Sequence, residues 1–417
     1  MTLPVSRRVQ RVKPSPTLAV AARAARLRAE GKDVIGLGGR EPDFDTPAHI
    51  QEAGIDAIRN GFTRYTSVDG INELKDAICE KFHRDNGIKY ERSQILVSTG
   101  AKQSIYNLCM AVLDAGDEAV IPAPYWVSYP DMVMLADGLP VMPFAGYAQG
   151  YKITPRQLAA AITPKTRLVL LNSPCNPTGA AYTRAELRAL GEVLLQYPRV
   201  VIGTDEVYEK IYWSSEPFCS LLTAVPELYN RTVTINGVSK AYAMTGWRLG
   251  YCGGPKELIN AMSTIQGQST SNASSIAQKA AVTALSGEQD SVARMNEALK
   301  ARHDFVVHGL NSLPGVSCLP GAGTFYVFAD VSRAITGLGC RDDNEFAELL
   351  LNEGGVAVVP GSGFGAPGHI RISFTCSMQM LEKAIERMDR VLEVGRPVSR
   401  GGQSTAAGAG DLKVPAT

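Results

Sequence analysis

The sequence predicts an α/β fold with a mainly parallel sheet covered by helices. From about residue 94, short apolar runs alternate with helical patterns. The runs are continuous in Val, Ile and Leu, which is typical of strands buried on both faces, and intervening helices favour parallel pairing. The predicted strands lie in QILVS, EAVIPAP, RLVLLNSP, RVVIGTDE, RTVTING and LGYCGG.

Helical patterns flank this region. Residues 17–30 are alanine-rich with arginines on one side, and Gly31 follows where a helix would stop. After about residue 285 a long helical stretch precedes a second set of short elements, which predicts a smaller α+β unit. Its elements are GAGTFYVFADV, a helix near 344–352, GVAVVPG, HIRISF and a final helix to about residue 394.

We expect the chain to divide into four parts. Residues 1–46 form an N-terminal segment that belongs partly to the smaller domain, residues 47–285 the large domain, and residues 286–395 the rest of the smaller domain. Residues 396–417 are rich in Gly, Ala and Ser without apolar periodicity, so we expect a disordered tail.

Composition excludes several classes of protein. The 42 Lys+Arg and 41 Asp+Glu residues leave a net charge of +1, so no summed field attracts nucleic acid or a membrane surface, and neither partner is expected. The eight cysteines are scattered, with no C-x-x-C pair and no histidine cluster, which predicts reduced thiols and no metal site. With no apolar leader or membrane-length stretch, we expect a cytoplasmic enzyme.

The most informative motif is SKAYAMTGWRLG, residues 239–250. Lys240 follows the hydroxyl of Ser239 and precedes Arg248, as an enzyme needs to hold an aldehyde cofactor as a Schiff base while an arginine binds its phosphate. Alone, such a pair is commonly two solvated charges. Three upstream motifs, NSPCNPTG, TDEVY and STGAKQ, supply further parts of one site. Together they predict pyridoxal 5'-phosphate as the cofactor.

Four side chains suit the ring of this cofactor. Asp205 can keep the pyridine nitrogen protonated, which the ring needs to act as an electron sink. Tyr208 and Asn176 can donate hydrogen bonds to the phenolic oxygen, and Trp126 offers a flat face for stacking. Taken singly, an aspartate at a strand end more often caps a helix, and a lone tyrosine or tryptophan more often packs in a core.

The phosphate requires donors and positive charge. Gly100, Ala101 and Lys102 open a predicted helix, whose free backbone amides favour a dianion. Arg248, through its planar guanidinium, and the hydroxyl of Ser239 would complete the phosphate site.

Together these motifs resemble the class I aminotransferases of pyridoxal-phosphate fold type I, in particular the bacterial aspartate aminotransferase subgroup. The resemblance runs from Ser6 to near Arg390. It implies a large domain with a mainly parallel, seven-stranded sheet and a smaller α+β domain. It also implies ping-pong transfer of an amino group from an L-amino acid, with an aspartate-like dicarboxylate favoured, to a 2-oxo acid, with prephenate as an alternative acceptor.

The resemblance also assigns roles. It makes Lys240 the Schiff-base lysine and the acid–base group, with Asp205 and Tyr208 as its catalytic partners. Arg371 becomes the clamp on the substrate α-carboxylate. Tyr65 would reach across a homodimer to the neighbouring cofactor phosphate, so that two subunits share their active sites. Further residues implied at the substrate are Gly39, Arg40, Trp126 and Asn176.

Arg40 departs from the subgroup, which usually has glycine at this place. Either its side chain turns to solvent and Gly39 allows the close approach of backbone to substrate, or Arg40 enters the site and contacts an acidic or otherwise unusual substrate group. Lys102 matches a lysine that helps to receive the distal carboxylate of aspartate, with Ser15 and Thr17 nearby; alternatively it points outward.

Other functions remain open from sequence. A specialised biosynthetic substrate, or elimination, cyclisation or oxidation on the same scaffold, would share Lys240 and Asp205. The glycines of IGLGG, residues 35–39, suggest dinucleotide binding, but charged residues follow them instead of a helix. A cofactor-binding regulator would need a DNA-binding segment, and no basic helix-turn-helix stretch precedes Thr17.

Overall fold

A computed structural model describes residues 3–394 of the 417-residue chain. The predicted tail, residues 396–417, lies outside this range. The strands are β1 (Ile35–Gly36), β2 (Ile95–Ser98), β3 (Glu118–Val120), β4 (Leu139–Val141), β5 (Thr166–Asn172), β6 (Val201–Asp205), β7 (Thr232–Gly237), β8 (Gly250–Gly253), β9 (Ser317–Cys318), β10 (Tyr326–Asp330), β11 (Val356–Ala357), β12 (Val359–Pro360) and β13 (His369–Ser373).

The helices surround and connect these strands. The α-helices are α1 (Arg7–Gln10), α2 (Pro16–Ala29), α3 (Ala48–Arg59), α4 (Asn72–Asn86), α5 (Ala101–Val112), α6 (Ser128–Leu135), α7 (Pro155–Ala161), α8 (Arg184–Leu195), α9 (Leu221–Ala224), α10 (Lys256–Gly267), α11 (Ser275–Ser286), α12 (Asp290–Ser312), α13 (Ser332–Leu338), α14 (Asp343–Gly354) and α15 (Met378–Val394). Short 3₁₀ helices span Arg92–Gln94, Tyr147–Gln149, Pro226–Arg231 and Gly361–Phe364.

The large sheet has seven strands in the order β2-β8-β7-β6-β5-β3-β4. Only β8 runs antiparallel to its neighbours; the other pairs are parallel. The predicted mainly parallel sheet is confirmed. Along β5, Val169 and Leu171 pack in one apolar cluster and Leu168 and Leu170 in another, because successive side chains point to opposite faces. This double burial explains the continuous apolar runs in the sequence.

The apolar runs did not reveal strand β4. It has three residues, lies at the sheet edge and contains Pro140, which cannot donate a hydrogen bond to a neighbouring strand. Leu139 is half exposed there. A short, partly exposed edge strand lacks the apolar signature by which the buried strands were found.

The smaller unit is built from the C-terminal half and the N-terminal segment. Strands β12-β13-β10-β9 form an antiparallel sheet, and β1 pairs in parallel with β11. Helices α12, α14 and α15 accompany these strands, as the sequence predicts. The pairing of Ile35 with Val356 brings the segment after α2 beside the C-terminal strands.

Within residues 3–394, no helix combines the length and the apolar character that crossing a bilayer requires. All eight cysteines carry free thiols. In the same part of the chain, no cluster of three or more His, Cys, Asp or Glu side chains is placed to hold a metal ion.

Candidate active site

The carboxyl ends of the large-sheet strands open into a cavity of about 820 Å³. Strands β5 and β6 place Asn172 and Asp205 side by side at this end. Nearly all predicted site residues line the cavity, although they come from distant parts of the chain. Those that do so are Gly39, Arg40, Ala101, Lys102, Trp126, Asn176, Asp205, Tyr208, Ser239, Lys240, Arg248 and Arg371.

Lys240 lies in the loop between β7 and β8, and its amine donates a hydrogen bond to the backbone carbonyl of Arg40. The amine lies 5.3 Å from the ring centre of Phe325 and 5.9 Å from that of Tyr208. Burial first, and then the charges of Arg371 and Arg40, lower its pKa to about 7. Near neutral pH a large fraction of this amine is therefore uncharged, the form that attacks a carbonyl and accepts a proton.

Asp205 is a buried carboxylate at the end of β6. One oxygen accepts a 2.6 Å hydrogen bond from the hydroxyl of Tyr129, and the other accepts a 3.2 Å bond from the amide of Val207. Burial raises the pKa of Asp205, and the Tyr129 hydrogen bond acts in the opposite direction. A cation beside this carboxylate would stabilise its charged form further.

Asn172 holds the neighbouring strand end in place. Its amide nitrogen donates to the carbonyl of Asp205 at 2.9 Å, and its amide oxygen accepts from the backbone of Asn176 at 2.9 Å. The loop after β5 is thereby tied to the end of β6, which positions the Asn176 side chain in the cavity.

Arg371, on β13, is 1% exposed. It donates to Asn176 Oδ1 at 2.9 Å and lies between aromatic rings, with its guanidinium carbon 4.2 Å from the ring centre of Tyr326 and 4.9 Å from that of Phe364. Its Nε has no partner, and within residues 3–394 it forms no ion pair with a carboxylate. A buried guanidinium without a counter-ion is a strong site for an incoming carboxylate.

Tyr208 packs edge-on against Phe325 at 5.5 Å, and burial raises the pKa of its hydroxyl well above the ordinary value, so the group is a neutral donor. The Trp126 ring also lines the cavity, and the Lys102 ammonium lies 4.8 Å from its centre. Lys102 contributes to the cavity lining at the start of α5, although the residue remains exposed to solvent.

The start of α5 forms a cradle with Arg248. Gly100 has φ +87°, and a Cβ built on it would lie 2.5 Å from Arg248 Nη2, so only glycine lets the guanidinium approach this backbone. Arg248 Nη1 donates to the carbonyl of Thr245 at 2.8 Å. Free helix-start amides, a guanidinium and the nearby Ser239 hydroxyl suit a phosphate dianion. With the reactive amine of Lys240, the cavity fits pyridoxal 5'-phosphate.

Two predicted residues lie apart from the cavity lining. Gly100 lies against the Arg248 guanidinium at the start of α5. Tyr65 is 91% exposed on the surface and lines no part of the cavity of its own chain.

Sequence reasoning missed Tyr129 and Tyr326. Tyr129 lies in PAPYWVSYP, three residues after Trp126, but it reaches an aspartate 76 positions away, and no local spacing indicates that contact. Tyr326 lies in the GAGTFYVFADV strand, where an aromatic residue indicates only packing. Its role beside Arg371 becomes visible only when β10 and β13 pair.

The model of the family "Aminotransferase class I and II" matches residues 32–388. The chain belongs to this family. An aspartate/prephenate aminotransferase from Nitrosomonas europaea is 53% identical over 394 residues, 93% of this chain and 99% of the relative. An aspartate aminotransferase from Geobacillus stearothermophilus is 48% identical over 93% of this chain and 99% of its own length.

Solved structures of aspartate aminotransferases are also similar to this chain. An aspartate aminotransferase from Rhizobium meliloti superposes with a TM-score of 0.91 at 47% identity, covering 94% of this chain and 99% of that one. The Thermus thermophilus aspartate aminotransferase with maleate superposes with a TM-score of 0.88 at 42% identity, covering 94% of this chain and 100% of that one.

These similarities confirm the predicted fold and enzyme class. The chain is a pyridoxal-phosphate-dependent aminotransferase, and amino acids and 2-oxo acids are its substrates. Among the reactions left open by the motifs, transamination is the one that the family supports.

Proposed function

We propose that this aminotransferase uses aspartate as its amino donor and a 2-oxo acid, with prephenate as one candidate, as its acceptor. The observation that carries the proposal is a pair of cations on separate elements of one cavity, Arg371 on β13 and Lys102 on α5. Neither forms an ion pair with a carboxylate in the described part of the chain. A ligand with two carboxylates compensates both charges. The names of relatives such as the Nitrosomonas europaea enzyme support the same donor and acceptor.

In this proposal Arg371 binds the α-carboxylate through two parallel hydrogen bonds and so fixes the orientation of the Cα–H bond. The neutral amine of Lys240 takes the proton from Cα and holds it for the next transfer. Bound pyridoxal phosphate supplies an electron sink for the charge that develops at Cα.

The remaining residues would hold the cofactor. Asp205 stabilises the protonated pyridine nitrogen, and the hydroxyl of Tyr208 and the amide of Asn176 donate to the phenolic oxygen. Trp126 stacks on the ring. The phosphate would be bound by Arg248, by the hydroxyl of Ser239 and by the backbone of Gly100, Ala101 and Lys102, so that the Lys102 ammonium stays available to a carboxylate.

We also propose a homodimer with shared active sites. Tyr65 is 91% exposed, and Ile58 on the preceding helix α3 is 55% exposed, so a large aromatic and an apolar residue face solvent on one stretch of the chain. Exposed apolar surface of this kind is typical of an interface. Sedimentation of the purified enzyme at micromolar concentration should give twice the chain mass, and a monomer retaining full activity would contradict the proposal.

The predicted domain limits and location stay proposals. Sheet membership supports a large domain at 47–285 and a smaller one from 1–46 and 286–395, because the seven-stranded sheet lies within residues 95–253 and β1 pairs with β11. Eight free cysteines favour a reducing compartment, as in the cytoplasm.

The donor is tested with the purified holoenzyme in single half-reactions. Aspartate, glutamate, alanine and phenylalanine are mixed separately with enzyme, and the cofactor absorbance is followed while the 2-oxo acid is identified by mass. We expect aspartate to react with the highest kcat/KM. A higher kcat/KM for alanine or phenylalanine would contradict a dicarboxylate donor. Prephenate is then offered as acceptor to the aminated enzyme.

A further inference from the structure

Arg40 brings an additional cation to the cavity. The residue is exposed, lines the cavity and follows the short strand β1. Within residues 3–394, no carboxylate lies within ion-pair distance of its guanidinium, and no acceptor takes a hydrogen bond from its side chain; only its backbone carbonyl is engaged, by Lys240. Among the described residues, its guanidinium therefore has no direct counter-ion.

The acidic residues closest to Arg40 in sequence are bound elsewhere. Glu41 accepts a 2.7 Å hydrogen bond from the hydroxyl of Thr245. Asp43 forms a 2.6 Å ion pair with Arg302. Neither carboxylate forms an ion pair with Arg40, although Glu41 keeps its negative charge and also lines the cavity, because its partner is a neutral hydroxyl.

Gly39 determines the path of this segment. A Cβ at this position would lie 3.0 Å from Thr375 Oγ1 and 3.4 Å from Ser373 Oγ, so Gly39 is packed against the segment after β13. Gly39 thus provides the close backbone approach, while the Arg40 side chain acts at the cavity. This combines the two interpretations that the sequence left open.

Arg40 and Lys102 act on each other. Both line the same cavity, and among residues 3–394 no carboxylate lies within ion-pair distance of Lys102, although the charge of Asp131 acts on it from farther away. After burial, the Arg40 charge is the largest influence that lowers the pKa of Lys102. Two neighbouring cations that repel each other gain most when an anion binds between them.

We propose that Arg40 is a specificity-determining residue which, together with Lys102, binds the second carboxylate of a dicarboxylic amino acid or 2-oxo acid. This inference rests on the proposed function, because it concerns the same substrate. The planar guanidinium can bind a carboxylate with two hydrogen bonds, whereas the ammonium of Lys102 acts as a point charge. A monocarboxylic substrate offers these two cations no partner, and so it is disfavoured.

The test compares Arg40→Gln and Arg40→Lys with a matched control, Arg156→Gln. Arg156 is an exposed arginine on α7 that lines no part of the cavity, so its replacement removes the same charge elsewhere. Binding of maleate, a dicarboxylate, and of 3-phenylpropionate, a monocarboxylate, is titrated through the absorbance of the bound cofactor. The ratio of kcat/KM for aspartate to that for alanine is measured in parallel.

For Arg40→Gln we expect the Kd for maleate to rise about tenfold and the aspartate-to-alanine ratio to fall about tenfold, the loss typical of a charged hydrogen bond. Arg40→Lys, which keeps the charge, should stay within about threefold of the unmodified enzyme. Arg156→Gln should change neither quantity. This pattern separates substrate recognition from a general effect of net charge.

Two results would overturn the inference. One is a maleate Kd for Arg40→Gln within about twofold of the unmodified enzyme, since a lost charged contact costs more than that. The other is an equal weakening of maleate and 3-phenylpropionate, because that places the effect at the first carboxylate or in the fold. If the unmodified enzyme does not use aspartate, the proposed donor fails, and the maleate titration still decides the role of Arg40.

Discussion

The hydroxyl of Tyr129 donates a 2.6 Å hydrogen bond to Asp205 Oδ2, and both side chains are buried. Burial raises the pKa of Asp205, and this hydrogen bond is the largest influence that lowers it. Tyr129 therefore helps to keep a buried carboxylate ionised at the place where the cofactor nitrogen is expected.

Replacing Tyr129 by Phe should raise the pKa of Asp205 further, because the carboxylate loses a donor that stabilises its charged form. Asp205 is anionic above its pKa, so activity is lost as pH falls through that value, and in the variant the loss begins at higher pH. We expect the acidic limb of the profile of kcat/KM against pH to move upward. Tyr251→Phe, which alters a buried tyrosine outside the cavity, is the control. Superimposable acidic limbs for both variants would rule out this role.

Lys240 should make cofactor capture depend on pH. Its pKa is lowered to about 7, first by burial and then by the charges of Arg371 and Arg40. Only the neutral amine attacks an aldehyde, so the rate at which the cofactor-free enzyme takes up pyridoxal phosphate should rise with pH and level off above about 7. Stopped-flow absorbance measures this rate, with N-acetyl-lysine amide in free solution as the reference. A rate that still climbs at pH 9, as the free amine does, would contradict the lowered pKa.

Lys240→Ala removes the nucleophile itself. The variant should fold, because the buried amine forms no ion pair in residues 3–394. Borohydride reduction followed by peptide mass analysis should find the cofactor attached to Lys240 in the unmodified enzyme and to no peptide in the variant. Transamination should fall at least about 1,000-fold, as expected when a positioned acid–base group is lost. Normal turnover by Lys240→Ala would be incompatible with the proposed mechanism.

Arg371→Met tests whether a buried cation is kept for binding at the expense of stability. The guanidinium lies between Tyr326 and Phe364 and has no counter-ion among residues 3–394, so an apolar side chain of similar length should leave the melting temperature of the cofactor-free protein unchanged or higher. The kcat/KM for aspartate should fall about 100-fold or more, the usual result of removing one partner of a buried charge pair. Arg371→Lys keeps a charge but loses the paired hydrogen bonds. Its kcat/KM for aspartate should therefore lie between those of the unmodified enzyme and Arg371→Met. A large drop in melting temperature for Arg371→Met would instead make Arg371 structural.

The buried ion pair of Lys81 and Glu209 should behave differently from Arg371, because replacing its lysine should destabilise the fold. Lys81 contacts Glu209 and also donates to Asn86 Oδ1 at 2.8 Å, while Asn86 donates to Glu209 at 2.9 Å. Lys81→Met leaves a buried carboxylate unpaired and should cost about 3–5 kcal/mol in the free energy of unfolding. Urea denaturation measures this cost, and Lys81→Met combined with Glu209→Gln should recover part of it. A double variant less stable than Lys81→Met would show that the two side chains do not act as a pair.

Local sequence determined much of this protein. Strands β5 and β7 and helices α2, α14 and α15 were predicted because their apolar patterns depend on neighbouring residues alone. The chemistry around Lys240 and Asp205 was also predicted, since each lies in a short motif at the end of a strand, and strand ends of a parallel sheet meet at one edge.

The tertiary structure decided which distant residues contact the side chains of those motifs. The contact of Tyr129 with Asp205 joins residues 76 positions apart, and no local pattern encodes such a contact. The surroundings of Arg40 were also decided by the fold: its sequence neighbours Glu41 and Asp43 would be expected to pair with it, but Glu41 accepts a hydrogen bond from Thr245 and Asp43 forms an ion pair with Arg302. The charge of a site depends on which partners the packed chain supplies, and those partners are set by contacts between distant segments.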